Sequence, residues 1–301
     1  MKTKVVFFLF SFVAFLPAQR RYIAVTVTNP ISLSRSSETI VVDMSGLSLL
    51  HPDLKRTKFV VEESKKVLTS QSIDENGDGI DDVLLFQSSF KANEEKQFIL
   101  YPAGRQDFKK TDVKTLVDGQ FMLPREDFAW ENDLIAFRVY GSPIAGNVLN
   151  GIDAWTKRVH YPIIEKWYEG EENVPPVVYH EDHGEGADFF SVGRTLGCGG
   201  AGVLQNGKLI QAGLFSFYRV ITNGPLRVSF ELYYPDWQID TVKYLEVKRI
   251  TLDAGQQLNK IETRFIPEIP AAKELMVAAG LAKRKNTVLT RGTDNRWLWI
   301  N

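Results

Sequence analysis

Leu226-Arg-Val-Ser-Phe-Glu-Leu-Tyr-Tyr234 and Val242-Lys-Tyr-Leu-Glu-Val-Lys-Arg-Ile-Thr-Leu252 decide the fold. Both runs are dense in β-branched and aromatic residues, the composition of strands. Similar runs flank them at residues 209–220 and 258–265, and Thr222-Asn-Gly-Pro225, Pro235-Asp-Trp-Gln238 and Asp253-Ala-Gly-Gln256 separate the four as turn signals. A meander of this kind predicts a broad antiparallel sheet. Shorter runs at residues 22–28, 39–43, 83–86, 96–100 and 134–140, bounded by Gly, Pro, Asn and Asp, predict an antiparallel sandwich upstream.

The expected fold class is therefore all-β with few short helices. A small amino-terminal β-sandwich is expected over residues 19–104, a polar connection over 105–127 and a larger β domain over 128–301. Helices are predicted at residues 153–168 and, with a weaker pattern, 271–282. The chain stops at Trp297-Leu-Trp-Ile-Asn301, a strand signal with no closing element, so the larger sheet is expected to be incomplete there.

Lys2 and Lys4 precede an apolar run over residues 5–16, and Pro17-Ala18 supplies a small residue before Gln19. This predicts a signal peptide over residues 1–18 and a periplasmic or secreted mature protein. The run is shorter than the roughly 20 apolar residues a bilayer span needs, and no later segment approaches that length. No stable membrane span is expected. No cysteine follows the run, which argues against a lipoprotein anchor. The single cysteine, Cys198, leaves no intramolecular disulfide, so stability rests on packing and on any ion the chain binds. With 36 Lys and Arg against 37 Asp and Glu, the chain lacks the basic footprint of a nucleic-acid binder.

Asp74-Glu-Asn76-Gly-Asp78-Gly-Ile80-Asp-Asp82 places oxygen donors at alternating positions around a glycine. The pattern fits the first half of a calcium loop, with Asp74, Asn76 and Asp78 as side-chain donors, Ile80 as a carbonyl donor and Asp82 as a direct or water-mediated contact. It departs at its twelfth position, Leu85, where a bidentate Glu belongs, and the flanks read as strands. A structural calcium ion and a solvated acidic hairpin turn both fit; no organic cofactor is expected.

Three of the four histidines, His160, His180 and His183, fall close to Tyr179, Glu181, Asp182, Glu185 and Asp188. Such density marks a candidate site, and glycines at 184 and 186 place it on a loop. The His180–His183 spacing also permits a metal, with Asp188 or His160 as third ligand, although that spacing is unspecific. The glycine-rich stretch from Ser191 to Gly202 lacks both the Gly-Lys-Ser/Thr ending of a phosphate loop and a following helix. Cys198 within it reads as a small buried residue, since no base is fixed beside it. Asp153, Trp155, Lys157, Arg158, His160, Trp167 and Tyr168 mix rings and charges in a way that suits sugars, through stacking on pyranose faces and binding of uronate carboxylates. Packing of those rings in a core is the competing reading.

Gly151-Ile-Asp-Ala-Trp-Thr-Lys-Arg158, Tyr179-His-Glu-Asp-His-Gly-Glu-Gly186, Val192-Gly-Arg-Thr-Leu-Gly-Cys-Gly-Gly200 and Asn223-Gly-Pro-Leu-Arg227 together resemble the secreted bacterial DUF4861 family, whose function is unassigned. The likeness covers most of the mature chain. It implies a galactose-mutarotase-like β-supersandwich preceded by a small β domain, and an association with breakdown of pectin or other uronate polymers. It carries no catalytic residues to transfer.

Two functions are thus expected to compete. As a polysaccharide lyase, the chain would use Arg194 or Lys157 to neutralise a uronate, His180 or His183 to abstract a proton, and Tyr179 to protonate the leaving oxygen. As a glycosidase it would draw a carboxylate pair from Asp182, Glu185, Asp188 and Glu262. Alternatively it is a noncatalytic glycan-binding protein that stacks sugars on Trp155, Trp167 and Tyr168. His180, His183 and Arg194 are expected to line one cleft, with Asp153, Arg158, His160 and Asp188 around it.

Overall fold

The computed structural model describes residues 22–49, 54, 56–103, 114–141, 147–269, 274–292 and 298–300. The expected signal peptide lies outside these residues. Among the described residues the chain is nearly all β, built from antiparallel sheets with two short helices.

The first segment contains β1 (Ile23–Thr28), β2 (Arg35–Asp43), α1 (Met44–Ser48), β3 (Phe59–Glu63), β4 (Lys66–Leu68), β5 (Ser70–Ile73), β6 (Val83–Phe90) and β7 (Glu95–Pro102). These form sheets of order β1-β7-β3-β4 and β2-β6-β5. Their alternating apolar residues, among them Val25, Val42, Val61, Phe86, Phe98 and Leu100, meet in one core.

The second segment contains β8 (Val117–Met122), β9 (Asp127–Asn132), β10 (Ile135–Val139), β11 (Asp153–Lys157), α2 (Ile164–Glu171), β12 (Gly186–Ala187), β13 (Cys198–Gln205), β14 (Lys208–Ile210), β15 (Phe217–Asn223), β16 (Arg227–Ile239), β17 (Val242–Asp253), β18 (Lys260–Pro267), β19 (Val277–Leu281), β20 (Leu289–Arg291) and β21 (Leu298–Ile300). A five-stranded sheet, β12-β11-β10-β9-β8, packs across a large apolar core from the four-stranded sheet β15-β16-β17-β18. Phe128, Trp130, Phe137 and Val139 from one side meet Val228, Phe230, Leu232 and Ile250 from the other. Smaller sheets, β14-β13-β19 and β20-β21, complete the segment.

The two segments touch through polar and apolar contacts. Gln71 accepts from the Leu226 and Arg227 amides at 2.8 Å each, and Leu85 and Ile73 pack with Leu226.

Several expectations are corrected. The residue 153–168 helix resolves into strand β11 and, after Pro162, the shorter helix α2. Asp153, Trp155 and Lys157 alternate at strand period onto one face, and the residue before a proline disfavours helix. Residues 277–281 of the second expected helix form β19, paired with β13, and residues 271–273 lie outside those described. The polar connection contains β8, whose Asp118, Gly119 and Gln120 weaken its strand signal. Its Gly119 is required by packing, because a Cβ there would meet Val228 Cγ2 at 2.6 Å. Residues 209–220 break between β14 and β15. Pro235-Asp-Trp-Gln238 is no turn: β16 continues through it with a bulge between Tyr234 and Trp237, and reverses only at Asp240, where φ is 54°. Of the terminal strand signal, residues 298–300 pair with β20, whereas Trp297 and Asn301 lie outside the described residues.

Candidate functional site

The five-stranded sheet has a second face, turned away from the sandwich core. Strand alternation puts Asp127, Ala129 and Glu131 of β9, Ala136 and Arg138 of β10, and Asp153, Trp155 and Lys157 of β11 on it. Helix α2 and the following loop cover this face, so Trp167, Tyr168 and Tyr179 pack on Trp155 and Ala136. The rings of Trp155 and Tyr179 stack at 4.7 Å and those of Trp155 and Tyr168 at 5.7 Å.

Arg138 is the centre of the covered face. Its Nη2 donates to Asp153 Oδ2 at 2.7 Å and to Asp188 Oδ2 at 2.9 Å, and its Nη1 donates to the Tyr179 hydroxyl at 2.8 Å. Asp127 Oδ2 lies 3.7 Å away. The guanidinium also lies 4.8 Å from the centre of the Trp155 ring. All four charged side chains are buried. One cation cannot neutralise three carboxylates, and burial disfavours the charged forms of Asp127 and Asp188. Burial accordingly raises the pKa of Asp127 to about 6, and burial together with the neighbouring Asp153 raises that of Asp188 to about 6. Asp127 and Asp188 thus take up protons near pH 6, well above the ordinary carboxyl range.

A second buried pair lies beside it. Lys157 and Glu131 are ion-paired with both side chains enclosed, and Lys157 Nζ also donates to the carbonyls of Asn132 at 2.6 Å and Tyr161 at 2.8 Å. Glu131 Oε1 accepts from the Ile163 and Ile164 amides at 2.7 and 2.8 Å, so it caps the amino terminus of α2 from a strand. Burial pushes the Glu131 carboxyl up and the Lys157 amine down.

His180 connects the covered face to solvent. Its Nδ1 lies 3.3 Å from Asp188 Oδ2 and 3.2 Å from the Asp188 carbonyl oxygen, while its side chain is 54 % exposed and that of Asp188 only 1 %. A ring fixed through Nδ1 presents Nε2 outward. His180, Asp188, Arg138 and Asp153 therefore form one chain of contacts from surface to interior. Phe189, next to the buried carboxylate, is 65 % exposed.

The remaining expected site residues fall in different places. Arg158 pairs with Asp182 at 2.9 Å on the outer side of the loop, where His183 also sits exposed. Asp182 and Glu185 are held ionised, the first chiefly by the Gly184 amide and the second by Lys166. His160 contacts the Asp133 carbonyl oxygen at 2.9 Å. Arg194 donates to Asn147 Oδ1 at 3.0 Å, and among the described residues no hydrogen bond or ion pair joins it to His180 or His183. Glu262 pairs with Lys260 on β18. Burial pushes the Cys198 thiol up to about 11, which keeps it protonated. Trp155, Trp167 and Tyr168 are 0 %, 7 % and 5 % exposed, so they are packing residues, and Tyr179, at 2 %, belongs to the floor with its hydroxyl engaged by Arg138.

The acidic loop closes on itself. Asp74 accepts from the Gly77, Asp78 and Gly79 amides at 2.6, 3.2 and 2.7 Å, Asn76 from Asp78 at 2.8 Å, and Asp78 from Ile80 at 2.8 Å. Asp82 accepts from the Glu75 amide and from the Asn76 side chain. Among the described residues no cluster of three or more His, Cys, Asp or Glu side chains is arranged to hold a metal. Asp74 Oδ1 takes two of these amides, whereas Asp74 Oδ2, Asn76 Oδ1 and Asp78 Oδ1 take one each and keep a lone pair.

Sequence reading missed Arg138, Tyr140, Asp127 and Glu131. The signal was present in Ala136-Phe-Arg-Val-Tyr140: an arginine flanked by Phe137 and Val139 in a strand faces the side opposite to theirs and needs buried partners there.

A family model described as domain of unknown function (DUF4861) matches residues 27–301. The chain belongs to the DUF4861 family. It is 36 % identical over 287 residues to uncharacterized protein P7 of Formosa agariphila, an alignment covering 91 % of this chain and 70 % of that relative. No solved structure matches. Among the described residues no helix is long and apolar enough to cross a membrane.

Proposed function

We propose that this DUF4861 protein is a carbohydrate-active enzyme, exported to the periplasm or beyond, that acts on uronic-acid-containing poly- or oligosaccharides by proton transfer at His180. The observation that carries the reading is the half-exposed His180 ring fixed through Nδ1 by the enclosed Asp188. A general acid or base needs a free nitrogen at the surface and a partner that fixes the ring; Asp188 is that partner, and Arg138 and Asp153 position it. Proton abstraction beside a uronate carboxylate, as in a lyase, suits an imidazole better than hydrolysis does, because the half-buried acids Asp182 and Glu185 are both tied into ion pairs. Exposed Arg194, which has no carboxylate partner among the described residues, is a cation available to the uronate.

A noncatalytic glycan-binding function is the second reading. It loses its original platform, since Trp155, Trp167 and Tyr168 are enclosed, but gains exposed Phe189 and Tyr161 on the same loop region. Incubation with pectic, ulvan and glucuronan oligosaccharides separates the two, with unsaturated-product absorbance and reducing ends followed together. New absorbance with matching reducing ends supports a lyase. Reducing ends alone indicate hydrolysis and remove the proposed role of His180 as the abstracting base. Retention of an oligosaccharide without turnover favours the binding function.

A further inference from the structure

The sandwich core holds an ionisable cluster that the proposed chemistry does not use. Glu246 and Lys248 stand two residues apart on β17, on the face that fills the core with Tyr244, Ile250 and Leu252. Both side chains are fully enclosed, with Lys248 Nζ 3.2 Å from Glu246 Oε1. The amine lies 4.5 Å from the centre of the Tyr234 ring and donates to the Asn150 carbonyl oxygen at 3.2 Å, in the loop that leads into β11. Asn150 is 1 % exposed. Its Oδ1 and Glu246 Oε2 lack a hydrogen-bond partner, and its Nδ2 has only a long contact, 3.5 Å, to the Ala201 carbonyl. Unpaired polar atoms of this kind are rare in a closed core and call for an explanation. Burial lowers the Lys248 pKa and raises that of Glu246, which favours a neutral amine beside a neutral acid.

We propose that Lys248 and Asn150 become joined by an intramolecular isopeptide bond, with Glu246 as the proton-transferring group. A fully enclosed amine has no route to an external electrophile, so its reaction partner is a group of the chain itself. Asn150, whose backbone carbonyl the amine already touches, carries a carboxamide. The neutral Nζ attacks Asn150 Cγ and a C–N bond forms; the bond from Cγ to Nδ2 breaks and ammonia leaves. Glu246 gives its proton toward the departing nitrogen and recovers one from Nζ, so it ends as it began and the step needs no oxidant or cofactor. The product ties β17 to the opposite side of the sandwich through residues 98 apart in sequence, a span whose closure restricts the unfolded chain.

Mass spectrometry of the purified, denatured full chain tests this. The expected mass is one ammonia below that calculated for the amino terminus found by peptide mapping, which also accounts for any cyclised terminal glutamine. Tryptic digestion should yield a branched peptide joining the Asn150 and Lys248 segments. Asn150 precedes Gly151 and can also lose ammonia by closing on its own backbone, so Lys248→Met decides between the two: the loss disappears for a cross-link and persists for the local ring. Glu246→Gln should leave the chain unlinked at full mass. Recovery of both segments as linear peptides from the wild-type protein overturns the proposal, even if neither variant folds.

Discussion

The acidic loop of residues 74–82 and the histidine loop of residues 179–188 are both dense in carboxylates, and they differ in how those carboxylates are held. The first holds Asp74 and Asp78 with amides two to five residues away, while Glu75 and Asp81 pair with Arg249 and Lys58. The second anchors Asp188 to Arg138, 50 residues earlier in sequence, and places that contact beneath a helix. Local amides fix the shape of the first loop around Asp74 and Asp78, whereas a buried long-range ion pair gives a surface histidine a fixed floor. What marks the second as the candidate site is burial: the Arg138–Asp188 pair is enclosed, whereas the Arg249–Glu75 pair of the first loop is open to solvent.

The largest effect should come from removing that balance. Arg138→Ala leaves Asp127, Asp153 and Asp188 buried together without their cation, and loss of one partner of a buried ion cluster costs about 3–5 kcal/mol. Denaturant unfolding measures it, and Asp78→Ala in the acidic loop serves as the matched control. A loss for Arg138→Ala no larger than for Asp78→Ala would erase the distinction between the loops.

Next in size is turnover. His180→Ala should keep the fold, because the ring is half exposed, yet lower turnover on a uronate substrate by on the order of 100-fold. His183→Ala, on the outer side of the loop, should fall far less. Equal losses in the two variants would mean that the Asp188 contact does not select His180.

The pH dependence is smaller but has a definite sign. Asp127 and Asp188 have folded pKa values of about 6, above the ordinary 3.8. A raised carboxyl pKa means the folded state binds more protons, so this contribution is full below about pH 4 and is lost as pH climbs through about 6. Asp188→Asn should flatten that part of the profile of Tm against pH. A wild-type minus variant difference that grows with rising pH would reverse the sign and exclude a raised Asp188 pKa.

Much of the fold was legible in the sequence because β16 and β17 carry their own strand chemistry and face a common apolar core. The site was legible only in part. His180 and Asp188 stand out as polar residues on a glycine-flanked loop, but their value depends on Arg138, which a linear reading sees as one charge inside an apolar strand. Trp155 misled for the converse reason: a ring among charges looks exposed, while here the charges are buried with it. The expected helix failed at the same place, since alternation across β11 sets Asp153, Trp155 and Lys157 against the cap formed by α2.

The smallest expected effect belongs to the acidic loop, and it is the cheapest to measure. If Asp74, Asn76, Asp78 and the Ile80 carbonyl take up calcium, an ion bound only by the native loop stabilises it by mass action, about 1.4 kcal/mol at a free concentration tenfold above Kd. For a chain of this size that is a Tm rise of a few degrees. The backbone already holds the three side chains in place, and the amides of Gly77, Asp78 and Gly79 that surround Asp74 keep its carboxyl ionised, chiefly through Gly79. Asp78→Ala removes one donor and should abolish the difference between calcium and chelator, while Asp188→Asn, in the other loop, should leave that difference intact. Identical melting of the wild type with calcium and with chelator sinks the ion, and the loop is then a self-capped hairpin turn.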